Sequence, residues 1–109
     1  MRPLIARIWR TGLDDSRAPE YEDFAQTVSL PMFRRHDGFG GVLFARSGGE
    51  RVVITLWEDR AAAEALGESA DYRATVKTLE ATGLLRPPQT TELLDVHGVW
   101  TGPLDHDLG

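Results

Sequence analysis

The side chains of this sequence that can do chemistry are aromatic, guanidinium, imidazole and carboxylate groups; no thiol is present. The chain has no cysteine and three histidines, His36, His97 and His106. Thiol catalysis, disulfides, iron–sulfur clusters and Cys-based zinc sites are therefore excluded. The histidines are scattered, with no pair one helical turn apart, so nothing announces a metal site. What remains is acid–base and hydrogen-bonding chemistry around aromatic rings. Trp57 closes an apolar strand at the point where the chain turns. It either plugs the core or lines a pocket, where a flat indole with one N–H donor suits a fused aromatic ligand. Tyr72 falls on the buried side of a helix and can bring a phenol to the same place. His97 shares one side of the last strand with Leu93 and Asp95. If it faces a pocket it exchanges a proton near neutral pH; otherwise it sits at a subunit seam or in solvent. His36 ends the first helix, either answering the helix C-terminal dipole or standing at a pocket mouth. Arg7 shares a strand face with Trp9. An unpaired buried charge is costly, so Arg7 must find a carboxylate, reach water or bind an anionic ligand. His106 belongs to the tail.

The elements that position these residues follow from patterning. "PLIARIWR" (3–10) has the apolar density of a strand, and "TGLDDSRAP" (11–19) is loop chemistry. Tyr21, Phe24, Ala25 and Val28 fall at i, i+3, i+4 and i+7, one buried helix face. Glu20, Glu22 and Asp23 sit in its first turn, where the helix dipole favours negative charge. Pro31 cannot donate to the Thr27 carbonyl and crowds it, which predicts a kink or break near Leu30 with Met32 and Phe33 on a last turn. "HDGFGG" (36–41) ends that helix. "GVLFARS" (41–47) and "RVVITLWE" (51–58) are strands joined by the turn "SGGE" (47–50). Asp59 caps a short helix from Arg60 to Leu66 that Gly67 stops, and Ser69 caps another, with Tyr72, Val76 and Leu79 on one face. "RPP" (86–88) enforces extended chain, "TELLDVHGVW" (91–100) is the last strand, and residues 101–109 form a polar tail.

The order strand, helix, strand, strand, helix, strand is that of an α+β, ferredoxin-like split βαβ unit with an antiparallel four-stranded sheet. Its 109 residues suit one domain, with residues 1–100 as the folded unit. In the third strand Val52, Ile54 and Leu56 point one way and Val53, Thr55 and Trp57 the other. Helices cover one face, and the other is too apolar for water. A second copy of the sheet is the simplest cover, giving a homodimer. The net charge of −5 argues against nucleic acid and against an anionic membrane surface. No leader and no run near the ~20 apolar residues of a membrane span is visible, so a cytoplasmic protein is expected.

On "IARIW", "LPMFRRHDGFGG", "ITLWEDRAAAEAL" and "DYR", in this order, residues 4–100 resemble the antibiotic-biosynthesis-monooxygenase-like domains of the dimeric α+β barrel superfamily. The resemblance implies a homodimer with a pocket in each subunit between sheet and helices. Some members oxidise polyketide anthrones or quinols with O2 and no cofactor, and another branch degrades haem. The tryptophan that closes the third strand in the anthrone-oxidising members corresponds to Trp57, and their asparagine four residues earlier corresponds to Val53. Their helical arginine corresponds to Lys77 or, with a shifted alignment, Arg73. The haem-degrading branch needs an axial histidine where residues 59–83 have none. The function implied is a cofactor-independent monooxygenase-like enzyme for an aromatic or polyketide-type small molecule. Trp57, Tyr72 and His97 are its candidate catalytic set. Trp9, Phe24, Val28, Phe33, His36, Phe44, Val53, Thr55, Arg73, Val76 and Lys77 are the candidate binding residues. A non-oxidative tailoring enzyme and a non-catalytic hydrophobic-ligand-binding dimer are the alternatives.

Overall fold

The structure is a computed structural model that describes residues 4–103. His106 and the end of the tail lie outside the described residues. Strand β1 (Leu4–Leu13) leads through a 3₁₀ turn (Asp15–Arg17) into a long helical passage. That passage is α1 (Ala18–Phe24), a π-helical turn (Ala25–Ser29) and α2 (Leu30–Arg34). The hairpin β2 (Phe39–Ser47) and β3 (Glu50–Trp57) follows, then α3 (Arg60–Glu68), α4 (Ala70–Ala81) and β4 (Leu85–Val96). The four strands form one antiparallel sheet in the order β2-β3-β1-β4. The α+β, ferredoxin-like architecture read from the sequence is the architecture found.

The period-2 pattern of β3 decides which face is dry. Arg51, Val53, Thr55 and Trp57 are buried, and the alternate Val52, Ile54 and Leu56 are half-buried. Val53 and Trp57 pack with Ile5 of β1, Met32 and Phe33 of α2, and Ala63 and Leu66 of α3. A second cluster joins Leu13, Tyr21, Leu79 and Leu84 at the far end of the same face. The opposite face carries Ile54, Leu43 and Leu94, the last two 54% and 44% exposed.

The disturbance expected near Leu30 takes the form of a widened helical turn rather than a break, with Met32 and Phe33 on the last turn as read, and two other local expectations change. Leu30 N–H instead bonds back to Ala25 O, five residues away, and Phe24, Ser29 and Leu30 all keep right-handed helical angles. The widened turn accommodates a residue that has no N–H to give. Gly67 does not stop α3, which runs on to Glu68. Ser69 ends it and at the same time caps α4 by accepting from Tyr72 N–H at 3.0 Å. Asp59 caps α3 as expected, accepting from Ala62 N–H at 2.8 Å.

The last strand is Leu85–Val96 rather than 91–100. Its pairing with β1 jumps from Gln89, opposite Thr11, to Arg86, opposite Gly12. Pro87 and Pro88 occupy the irregularity, where no ladder N–H is required of them. Gly12 is needed there, because a Cβ would stand 2.8 Å from the Arg86 carbonyl oxygen. At the other end Val96 pairs with Leu4, the first described residue of β1, so His97 falls beyond the ladder.

Candidate functional site

Between the helix-covered face of the sheet and the helices lies a partly open cavity. Its volume is about 40 Å³, and it is open to solvent on one side. Its floor is sheet: Arg7 and Trp9 of β1, Val53 and Thr55 of β3, and Phe44 of β2. These residues share one face because the registers Arg7↔Thr55, Trp9↔Val53 and Phe44↔Val53 put them side by side. Its roof is helix: Tyr21 of α1, Ser29 of the π-helical turn, Met32 and Phe33 of α2, and Tyr72, Thr75, Val76 and Leu79 of α4. The i, i+4, i+7 spacing of Tyr72, Val76 and Leu79 turns one stripe of α4 inward.

The polar centre of the cavity is the pair Arg7 and Tyr72. Arg7 Nη2 donates to Tyr72 Oη at 3.0 Å, and the guanidinium carbon lies 4.7 Å from the centroid of the same ring. The ring therefore meets the cation both as a hydrogen-bond acceptor and through its face. Arg7 is 7% exposed, and no carboxylate pairs with it among the described residues. Tyr21 presents a second phenol, whose hydroxyl bonds to no described group. Burial pushes its pKa up to about 12, against the opposing pull of the Arg51 charge. The Tyr21 phenol thus stays protonated at neutral pH.

Trp57 does not reach this space. It is fully buried, its Nε1–H donates to Thr55 Oγ1 at 2.8 Å, and Phe39 meets it edge-on with ring centroids 5.7 Å apart. Phe39 in turn stacks on Phe33 at 6.1 Å. Of the two places open to it in the sequence, Trp57 takes the core, on the same sheet face as the cavity floor and beside it. Thr55 hands the contact on, with Oγ1 at 3.4 Å from the Arg7 carbonyl.

The structure gathers Trp9, Phe33, Phe44, Val53, Thr55, Tyr72 and Val76 on the cavity wall. It does not bring the others there. Phe24 packs against the cluster of Leu13, Tyr21, Leu79 and Leu84, and Val28 is 38% exposed. Arg73 and Lys77 are on the exposed side of α4. His97 is exposed beyond the end of β4, so the alternation that would turn it inward no longer applies. His36 is held elsewhere: Nδ1 bonds to the Met32 carbonyl at 2.9 Å and Nε2 to Ser69 Oγ at 2.9 Å. Because a carbonyl only accepts, the neutral ring carries its proton on Nδ1 and accepts from Ser69. His36 thereby fastens α2 to the cap of α4. Tyr21, Ser29, Met32, Thr75 and Leu79 join the wall without having been singled out as binding residues. The spacing of Tyr21 and Leu79 on buried helix faces was the available signal. Among the described residues, no three of His, Cys, Asp and Glu come together in a metal-holding group. No described helix is long and apolar enough to cross a membrane.

Comparison with known proteins gives the fold. No family model matches the chain, and no curated protein matches it in sequence. Solved structures do. A protein of unknown function from Nitrosomonas europaea superposes with a TM-score of 0.73 at 16% identity, over 94% of this chain and 97% of that one. A proposed antibiotic biosynthesis monooxygenase from Caulobacter crescentus gives 0.72 at 16% identity, over 89% and 92%. SnoaB, a cofactor-independent oxygenase from Streptomyces nogalater, gives 0.64 at 20% identity, over 93% and 98%.

Proposed function

We propose that this chain, which has the fold of the antibiotic-biosynthesis-monooxygenase-like domains, is a cofactor-independent monooxygenase-like enzyme. Its substrate is an aromatic or polyketide-type small molecule of the anthrone or quinol class, and it works as a cytoplasmic homodimer. The observation that carries this reading is the cavity itself, an apolar slot whose polar centre is a donor pair, Arg7 and Tyr72. Such a slot suits a reaction in which the substrate supplies the electrons. Loss of a ring C–H proton leaves an anion delocalised onto the ring oxygen. That anion reduces O2, one oxygen atom becomes the new ketone and the other leaves as water. The protein's task is to exclude bulk solvent and to place fixed donors where the oxyanion develops. Among the described residues, no carboxylate or imidazole is on the cavity wall. The proton therefore passes to water at the open mouth, while Arg7 and Tyr72 hold the oxygen.

The dimer is supported by the sheet face opposite the helices, where Leu43 and Leu94 are exposed beside Ile54. A C2 partner with the same face would cover it. A second reading has a specific observation in its favour. Neither His36 nor His97 lines the cavity, and Val53 stands where the resemblance places an asparagine. A site without a base suits a hydrophobic-ligand-binding dimer or a non-oxidative tailoring enzyme. Aerobic incubation with an anthrone, following O2 uptake and product mass, separates these readings. Enzyme-dependent O2 uptake that is lost in Tyr72→Phe supports oxygenation. Product formed without O2 moves the assignment to a cyclase or isomerase. Binding with no product under any atmosphere leaves the binding module.

A further inference from the structure

Arg7 is more than a donor for a charge that forms during a reaction. Two of the described arginines are buried, Arg51 at 3% and Arg7 at 7% exposure. Arg51 has its anion, Asp15 Oδ1 at 3.0 Å. Among the described residues Arg7 has none, and it is the one charged side chain of those on the cavity wall. Its guanidinium has five N–H donors, and one bond leads from it, to a neutral phenol. Arg7 lines the cavity, so donors it does not spend on Tyr72 are available to a ligand there. A buried cation is costly until an anion joins it, and truncating one partner of such a pair is costly in turn. The missing partner therefore belongs on whatever occupies the cavity.

We infer that the cavity selects ligands that enter already as anions: flat aromatic molecules bearing a carboxylate or an ionised phenol or enol, with that oxygen group on Arg7 and Tyr72. The cavity is open on one side, so an anionic head group can reach Arg7 while the rings of the ligand lie toward the opening. Trp9 and Phe44, which line the same cavity, supply the flat apolar contact. The surroundings set the contrast, since in a chain of net charge −5 the described residues of the cavity wall include no carboxylate and one cation. The inference rests on the cavity being a ligand site, and its test keeps the two ideas apart.

The test is calorimetric binding to the full chain of two matched pairs. One is 2-naphthoate against neutral 2-naphthamide. The other is 2-hydroxy-1,4-naphthoquinone, ionised at neutral pH, against its neutral 2-methoxy ether. At least one anion is expected to bind about ten-fold or more tightly than its neutral twin, the scale of one hydrogen bond to a charged group. The pair that shows the preference tells carboxylate from enolate. Arg7→Gln should erase the preference while the neutral twin still binds, and Arg7→Lys should keep part of it. Equal binding of both twins to the unaltered chain, or a preference that survives Arg7→Gln, overturns the inference and leaves the ligand site standing. Binding of none of the four overturns both. The comparison of twins on the unaltered chain needs no variant, so a failure of Arg7→Gln to fold does not remove the test.

Discussion

Replacing Trp57 by phenylalanine tests the division between core and cavity. The indole is fully buried against Phe39, and its N–H bonds to Thr55 Oγ1 at 2.8 Å. Phenylalanine keeps one ring and loses the second ring with its donor. The lost hydrogen bond costs about 1 kcal/mol. The vacated ring volume costs roughly 2 kcal/mol, about half of the ~3–5 for truncating an aromatic to alanine. The sum of about 3 kcal/mol corresponds to a fall in Tm of roughly 10 to 20 °C for a domain of this size. Urea unfolding at one fixed protein concentration reads the loss, since an associating chain changes apparent stability with concentration. Thr55→Val alone leaves the indole N–H without its acceptor, and the double variant leaves neither group unpaired. The cycle should show a coupling of about 1 kcal/mol between the two positions. Binding of an aromatic ligand should survive Trp57→Phe at temperatures where the variant is folded. A variant as stable as the parent that has lost ligand binding would refute this account and return Trp57 to the cavity wall.

Tyr21 predicts an alkaline limb. Burial raises its folded pKa to about 12 from the ordinary tyrosine value near 10. Its contribution is fully present below the unfolded value and is lost as pH rises toward the folded one, because the unfolded chain gives up the proton first. The loss across that window is roughly 2 to 3 kcal/mol, and urea midpoints should decline less steeply there in Tyr21→Phe. Gly12→Ala should lose roughly 1 to 2 kcal/mol in the same assay, the clash with the Arg86 carbonyl outweighing the entropy removed from the unfolded chain. Leu43→Glu combined with Leu94→Glu places two carboxylates on the uncovered sheet face. Gel filtration should then move from a dimer to a single 12.1 kDa chain, and an unchanged elution volume would count against this face as the seam.

Most of the fold was legible because it rests on local signals that agree. The alternation in β3, the caps Asp59 and Ser69, and the helical stripe of Tyr72, Val76 and Leu79 each appear as read. The failures lie where tertiary context overrides a local rule. Pro31 and Gly67 are strong breakers in isolation. A widened turn absorbs the first, and α3 continues through the second, where a Cβ would stand 3.8 Å from Arg7 Nη2. Pro87 and Pro88 hid the start of β4. A bulge opposite Gly12 allows a strand to contain them, and that pairing partner is fixed only once β1 and β4 lie together.

The candidate site was less legible, and the reason is instructive about Arg7 and Trp57. Alternation puts Arg7 on one strand face with Trp9 and Trp57 on one with Val53 and Thr55, and the structure turns both faces toward the helices. Alternation says which way a side chain points but not how far the neighbouring layer has closed over it. Trp57 meets α2 and α3 where the helices press onto the sheet, so Met32, Phe33, Ala63 and Leu66 close over the indole. Arg7 lies two residues from Ile5 on the same strand, where Tyr72 of α4 roofs the sheet and an opening remains. The difference between a core plug and a cavity wall is thus set by where the helices cross the sheet, which depends on packing between elements distant in sequence. Charge adds what packing cannot. A tryptophan is satisfied by Thr55 within its own strand, whereas the Arg7 cation is left with a phenol and no acid. That imbalance is absent from any local pattern. It appears only when every buried cation is matched against the anions around it, and it makes Arg7 the most informative residue of the cavity.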